Sequence, residues 1–114
     1  MTENELLQCL AETPERVGFD DVLAVIDAGY HFTAQAFRHG AVVNAAGSNA
    51  GSCRVLAFAR LHGLSDAQTL ACFGRFYRDV LATPDGDDHA NIRQLIKTGL
   101  AAVQFDGPVL EPKA

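Results

Sequence analysis

The sequence predicts a mainly helical α+β domain, with about five helices around a central buried one and a small β hairpin or sheet. Three observations predict it. A polar, glycine-punctuated stretch, Asn44-Ala-Ala-Gly-Ser-Asn-Ala-Gly-Ser-Cys53, runs straight into Arg-Val-Leu-Ala-Phe-Ala-Arg60. That second segment is apolar on nearly every side, the pattern of a helix surrounded by protein. On either side of it, apolar residues recur at helical period behind capping signals. Between Tyr30 and Asn44 the period is lost and short alternating stretches replace it.

Taken in order, Thr2-x-x-Glu5 matches a capping box, and Leu6, Leu7 and Leu10 supply a short apolar stripe that Pro14 ends. Phe19, Val22, Leu23, Ile26 and Tyr30 fall at i, i+3, i+4, i+7 and i+11. Asp20 and Asp21 open that second helix, and Gly29 closes it. Tyr30-His-Phe32 alternates, and Phe37 to Val43 forms a hairpin around Gly40. The central helix runs from about residue 52 to 62 and stops at Gly63. Ser65-Asp-Ala-Gln68 is a second capping box. It opens a fourth helix, continuous through Leu70, Phe73, Tyr77, Val80 and Leu81, with Arg75 and Asp79 paired at i, i+4. Phe76 lies off its main stripe and is free to face a partner. Pro84-Asp85-Gly86 breaks this helix, and Asp87 or Asp88 caps a fifth that carries Ile92, Leu95 and Ile96 and closes at Gly99. Val103-Gln-Phe105 reads as a strand, followed by a turn at Asp106-Gly107-Pro108. With no repeat, linker or low-complexity tract, residues 1–114 form a single domain.

Composition narrows the function classes. The net charge of −5 leaves no electrostatic footprint for nucleic acid or an anionic membrane surface. The apolar runs fall well short of the roughly 20 residues that span a bilayer. An acidic Met-Thr-Glu-Asn-Glu start is unlike a secretory signal, so a cytoplasmic protein is expected. Cys9, Cys53 and Cys72 share no CxxC spacing, which points to reduced thiols. No two of the four histidines stand at i, i+4, and neither a metal site nor any other cofactor is expected.

The candidate chemistry collects around the start of the central helix. A thiol there feels unpaired N–H groups and the positive end of the helix dipole, which favour thiolate. Cys53 is therefore a candidate nucleophile, with His89 as its base and Asp88 or Asn91 as the group orienting that base. The ordinary reading makes Cys53 a small buried apolar residue. The loop Gly47 to Ser52 is a plausible anion seat, with Asn44, Asn49 and Ser52 as ligand-binding candidates. It lacks the lysine of a P-loop, and in the ordinary reading its asparagines bond local backbone while Ser52 caps the helix. His89, Arg93 and Lys97 recur at i, i+4 and i+8, a stripe able to dock a phosphate or an acidic partner. The ordinary reading is a solvated flank paired with Asp85 and Asp87. A pocket between the Asn44–Ser52 loop and the start of the fifth helix would be completed by Asp88, Asn91 and Arg93.

Several motifs occur in the order of a known family. The run from Phe32 through Asn44-Ala-Ala-Gly-Ser-Asn-Ala-Gly-Ser-Cys53 resembles the HopJ type III effector family. So do Phe58-Ala-Arg-Leu-His-Gly-Leu-Ser65, Gln68-Thr-Leu-Ala-Cys-Phe-Gly74, Asp88-His-Ala-Asn-Ile-Arg93 and Gln104-Phe-Asp-Gly107, so that residues 19–107 are covered. His39 stands before Gly40 where the family pattern has Asn, and Leu100 stands near a position where an aromatic is expected. The resemblance implies an effector-like protein, delivered into host cells by a bacterial type III system, that works by engaging a protein or a small anionic ligand. It carries no catalytic residue with it. A cysteine-dependent hydrolase or acyltransferase using Cys53 is the alternative, and the oligomeric state stays open.

Overall fold

The computed structural model describes residues 1–113. Helix α1 (Glu3–Glu12) begins at the expected capping box: Glu5 N–H donates to Thr2 Oγ1 at 3.1 Å, and Thr2 N–H donates to Glu5 Oε1 at 3.0 Å. Its Leu6 and Leu10 are buried, and a short 3-10 turn (Pro14–Arg16) leads on to α2 (Phe19–Gly29). Three strands follow, β1 (Tyr30–Phe32), β2 (Phe37–His39) and β3 (Val42–Asn44). Next come α3 (Ala50–Leu61), α4 (Asp66–Ala71), α5 (Arg75–Ala82) and α6 (Ala90–Thr98), then β4 (Val103–Phe105) and β5 (Leu110–Pro112).

Helix α3 is the predicted centre. Val55, Leu56, Phe58 and Ala59 are fully buried, and the helix touches α2, α4 and β5. Its polar exceptions, Arg54 and Arg60, reach the edges of this core. Strands β2 and β3 form the hairpin expected around Gly40, and β4 joins the free side of β2 to give an antiparallel sheet in the order β3-β2-β4. Phe37 faces Phe105 in that register, and the two rings pack at 5.8 Å. Strand β1 pairs antiparallel with β5, bringing Tyr30 opposite Pro112 and Phe32 opposite Leu110.

Three local expectations are corrected. The continuous fourth helix is two helices, α4 and α5, separated at Gly74. That residue adopts φ +54°, and a Cβ on it would lie 2.9 Å from the backbone nitrogen of Phe19 and 3.4 Å from the carbonyl of Val17. Close approach to the start of α2 thus requires both the missing side chain and the break. The apolar period continues across the break because both helices face the same core. Arg75 turns away from Asp79 and pairs with Asp20 at 3.3 Å. The cap of α6 is neither Asp87 nor Asp88; His89 holds that position in a left-handed conformation at φ 50° with no side-chain hydrogen bond to the helix start. Strand β5 had no sequence signal at all, because Pro112 and two polar neighbours leave no alternation to read.

Candidate functional site

Two helix N-termini meet at one cleft. It measures about 410 Å³ and is lined by Asn49, Gly51, Ser52 and Arg54 from the start of α3, by His89 and Ile92 from the start of α6, and by Phe19, Leu23, Phe73 and Phe76. It lies between the polar loop and the start of α6; of the ligand-binding candidates, Asn49 and Ser52 line it, while Asn44, Asp88, Asn91 and Arg93 do not. Its aromatic wall is an addition that spacing alone had assigned to the core.

The two helices entering the cleft share a start that no other described helix has, a non-glycine N-cap of positive φ, although α2 and α5 also lack a side-chain cap. Helices α1 and α4 each carry a complete capping box. Neither α3 nor α6 has a side-chain cap, and their N-cap residues, Asn49 at φ 53° and His89 at φ 50°, are the only non-glycine residues of positive φ among those described. Such a conformation costs free energy for a residue with a Cβ. The first-turn N–H groups of both helices are therefore not satisfied by a local side chain, and the dipoles place partial positive charge at the cleft. Ser52 lines the cleft and does not cap α3.

The aromatic wall owes its shape to Gly51. A Cβ there would sit 2.9 Å from the tip of the Phe19 ring, so glycine lets that ring lie against the first turn of α3. Phe19 stacks with Phe73 at 6.1 Å and meets Phe76 edge-on at 5.1 Å, and the His89 ring lies 5.4 Å from Phe76. Phe76, expected to face a partner, lines the cleft instead. Arg54 places its guanidinium 4.1 Å over the Phe32 ring, with Nε 3.3 Å from Asp27 Oδ1. That contact is ionic, and Nε makes no hydrogen bond.

The other predicted residues divide by role. Asn44 and Asn91 are buried and bond each other reciprocally: Asn44 Nδ2 donates to Asn91 Oδ1 at 3.1 Å, and Asn91 Nδ2 donates to Asn44 Oδ1 at 2.9 Å. Asn44 Nδ2 also reaches the Phe37 carbonyl, and Asn49 Nδ2 donates to Asn44 Oδ1 at 2.7 Å. This amide cluster ties β3 to α6 and sets the separation of the two helix starts. Asn44 and Asn91 line no part of the cleft. Arg93 is fully engaged, donating to the carbonyls of Thr83 and Asp88, to Thr83 Oγ1 and, at 2.6 Å, to Asp88 Oδ1. That network closes the end of α5 and holds the Asp88 carboxyl below its ordinary range. The basic stripe is thereby reduced: Arg93 is a clamp, its acid is Asp88 in place of Asp85 or Asp87, and Asp88 is also 3.9 Å from His89.

Cys53 does not meet the requirements of a nucleophile here. It is buried, it does not line the cleft, and it makes no hydrogen bond to His89. Burial pushes its thiol pKa up, against smaller opposing effects from the Gln35 backbone and Arg54. The helix start supplies a positive field, but removal from water outweighs it. His89 instead packs against Phe76 and has no role as base to this cysteine.

Among known protein families, the one described as HopJ type III effector protein matches residues 3–110. No curated protein matches the chain. A crystal structure of an unknown-function protein, VPA0580, is similar, with 45% sequence identity and a TM-score of 0.96 over 99% of this chain and 95% of that one.

Proposed function

The chain belongs to the HopJ type III effector family, and from that premise we propose that it acts by binding, taking a small ligand with an aromatic body and an anionic group into the α3–α6 cleft. One observation carries this reading: the two helices that begin, without a side-chain cap, at a non-glycine residue of positive φ are the two whose first turns open into an aromatic-walled cleft. Phe19, Phe73 and Phe76 suit a flat apolar body. The amides of Gly51, Ser52 and Ile92, together with Arg54 and His89, suit a carboxylate or phosphate. The buried Cys53 weighs against cysteine catalysis. Within this proposal the protein is delivered into a host cell by a type III system and acts there on its ligand.

Amide chemical shifts of the labelled protein, followed while phenyl phosphate is added, test the binding reading. Shifts should concentrate at residues 50–53 and 90–92, and Arg54→Gln should weaken binding about tenfold, as the loss of one charge-assisted hydrogen bond would. Uniform or absent shifts at millimolar phenyl phosphate would overturn it. Delivery is tested separately, by fusing the chain to a reporter enzyme that only host cytosol activates.

A further inference from the structure

The β2–β3 hairpin is fastened to α6 at both ends. At one end Asn44, the last residue of β3, bonds Asn91 in the first turn of the helix. At the other, His39, the last residue of β2, bonds the carbonyl of Gly99, the residue that closes the helix. The connection between the two is short. Asn44 stands opposite Phe37 and donates to its carbonyl, and Phe37 precedes His39 by two residues, about 7 Å of extended strand. Phe37 and His39 share the buried face, with Arg38 exposed on the other. Asn44 also accepts from Asn49, the residue that starts α3. A displacement of His39 therefore has a direct route to both helix starts at the cleft.

The two fastenings differ in chemistry. Carboxamides do not titrate between pH 4 and 9, whereas an imidazole does. His39 is wholly buried; Nε2–H donates to Gly99, and Nδ1 has no hydrogen-bond partner. A proton on Nδ1 would make a buried cation with an N–H facing no acceptor. Two charged groups face the ring, Arg60 of α3, which repels such a charge, and Asp66 of α4, which attracts it. Arg60 is occupied by the Leu100 carbonyl at 2.7 Å, and Asp66 Oδ1 by the Leu100 N–H at 2.9 Å. Strands β3 and β4 carry no charged residue. On α6, Arg93 is committed to Thr83 and Asp88, and Lys97 is exposed. Burial is the first cause that holds the imidazole below its ordinary value. The proton is accepted readily only once His39 has left its seat, and the bond to Gly99 is then gone.

We propose that His39 is a proton-operated latch: in mildly acidic medium it lets the hairpin lift from the close of α6, which parts Asn44 from Asn91 and frees the two helix starts that form the α3–α6 cleft. Loss of ligand on acidification rests on the binding reading above; the latch itself does not. A free imidazole titrates near 6.5 and the seated one lower, so the latch is closed above that pH and loosens below it. Between pH 7.5 and 5.5 the lifted form gains up to about tenfold on the seated one.

Hydrogen exchange of the full chain, read by NMR at both pH values and corrected for intrinsic rates, tests the latch. Amides of residues 37–44 should be less protected than those of α2, and their protection should fall by up to about tenfold at pH 5.5. The side-chain amide protons of Asn91 should follow them. His39→Gln, which keeps a donor for Gly99 and takes no proton, should remove the fall, and His39→Asn replaces it where Gln does not fold. Hairpin protection that is flat with pH, equals that of α2, or falls as far in these variants overturns the latch. Asn91 protons that stay protected while the hairpin opens overturn its link to the cleft. Phenyl phosphate at ten times the Kd measured at pH 5.5 should raise hairpin protection about tenfold, and binding without that rise overturns the link as well. If phenyl phosphate fails to bind, the binding reading falls, and the exchange of the hairpin and Asn91 still decides the latch.

Discussion

His39 is wholly buried, with Nε2 3.2 Å from the Gly99 carbonyl and no partner for Nδ1. Nε2–H donates to the carbonyl, which leaves Nδ1 as an acceptor facing protein. Protonation would bury an N–H with nothing to receive it. Burial is the first cause of a lowered pKa, Arg60 adds to it, and the Gly99 carbonyl and Asp66 oppose it. Below about pH 6.5 the unfolded chain takes up a proton that the folded one resists, so stability falls as pH falls, by at most about 1.4 kcal/mol per unit. Urea melts between roughly pH 5 and 6.5 should show this slope, and His39→Gln should flatten it. Glu5 and Asp88, held low by the Thr2 hydrogen bonds and by Arg93, contribute only nearer the carboxylate range.

The thiols make a second prediction at the same scale. Burial drives the Cys72 pKa to about 12 and raises that of Cys53, whereas Cys9 is only half-buried. Iodoacetamide should label Cys9 first in the native protein, and mass spectrometry should find Cys53 and Cys72 modified only after unfolding. The ordinary reading of Cys53 was legible in sequence. The competing field of the helix start was legible too, but only its burial decided between them.

At the scale of elements, the Asn44–Asn91 pair fastens the hairpin to α6. Removing either amide leaves the other buried without its partner, so Asn91→Ala should cost about 1–3 kcal/mol in chemical denaturation. A double-mutant cycle with Asn44→Ala should show strong coupling, because the second truncation removes a group already unpaired. Gly74 makes the other element-scale prediction. Gly74→Ala places a Cβ against the backbone of Phe19 at a positive φ and should lower stability by about 1–3 kcal/mol or more. The Ser65 capping box and the apolar period announced the α4–α5 region correctly as helical. The break was invisible because glycine inside a helical pattern is ordinarily tolerated, and its cause, α2, is remote in sequence.

At the scale of the whole molecule, the last residues close the fold. Thr33 N–H donates to the Val109 carbonyl at 2.8 Å, Lys113 N–H to that of Gly29 at 2.9 Å, and Val109 is buried. Val109→Ala should therefore lower stability by about 1–3 kcal/mol, measured as a shift in the urea midpoint with little change in slope. Strand β5 lacks alternation because its stability comes from pairing with β1 and from Val109, just outside it. No local pattern reports either.

The helical character of the segments, the β2–β3 hairpin and the central place of α3 were legible in sequence alone, whereas the break between α4 and α5 was not. Each legible feature depends on contacts within a few residues or on a periodicity that repeats along the chain. Tertiary structure decided which side chains meet. The Phe19 ring against Gly51, the buried amide pair and the His39 bond to the Gly99 carbonyl all join distant segments. Their separations are set by how whole helices pack, and residue spacing along a chain does not encode the distance between two of its folds.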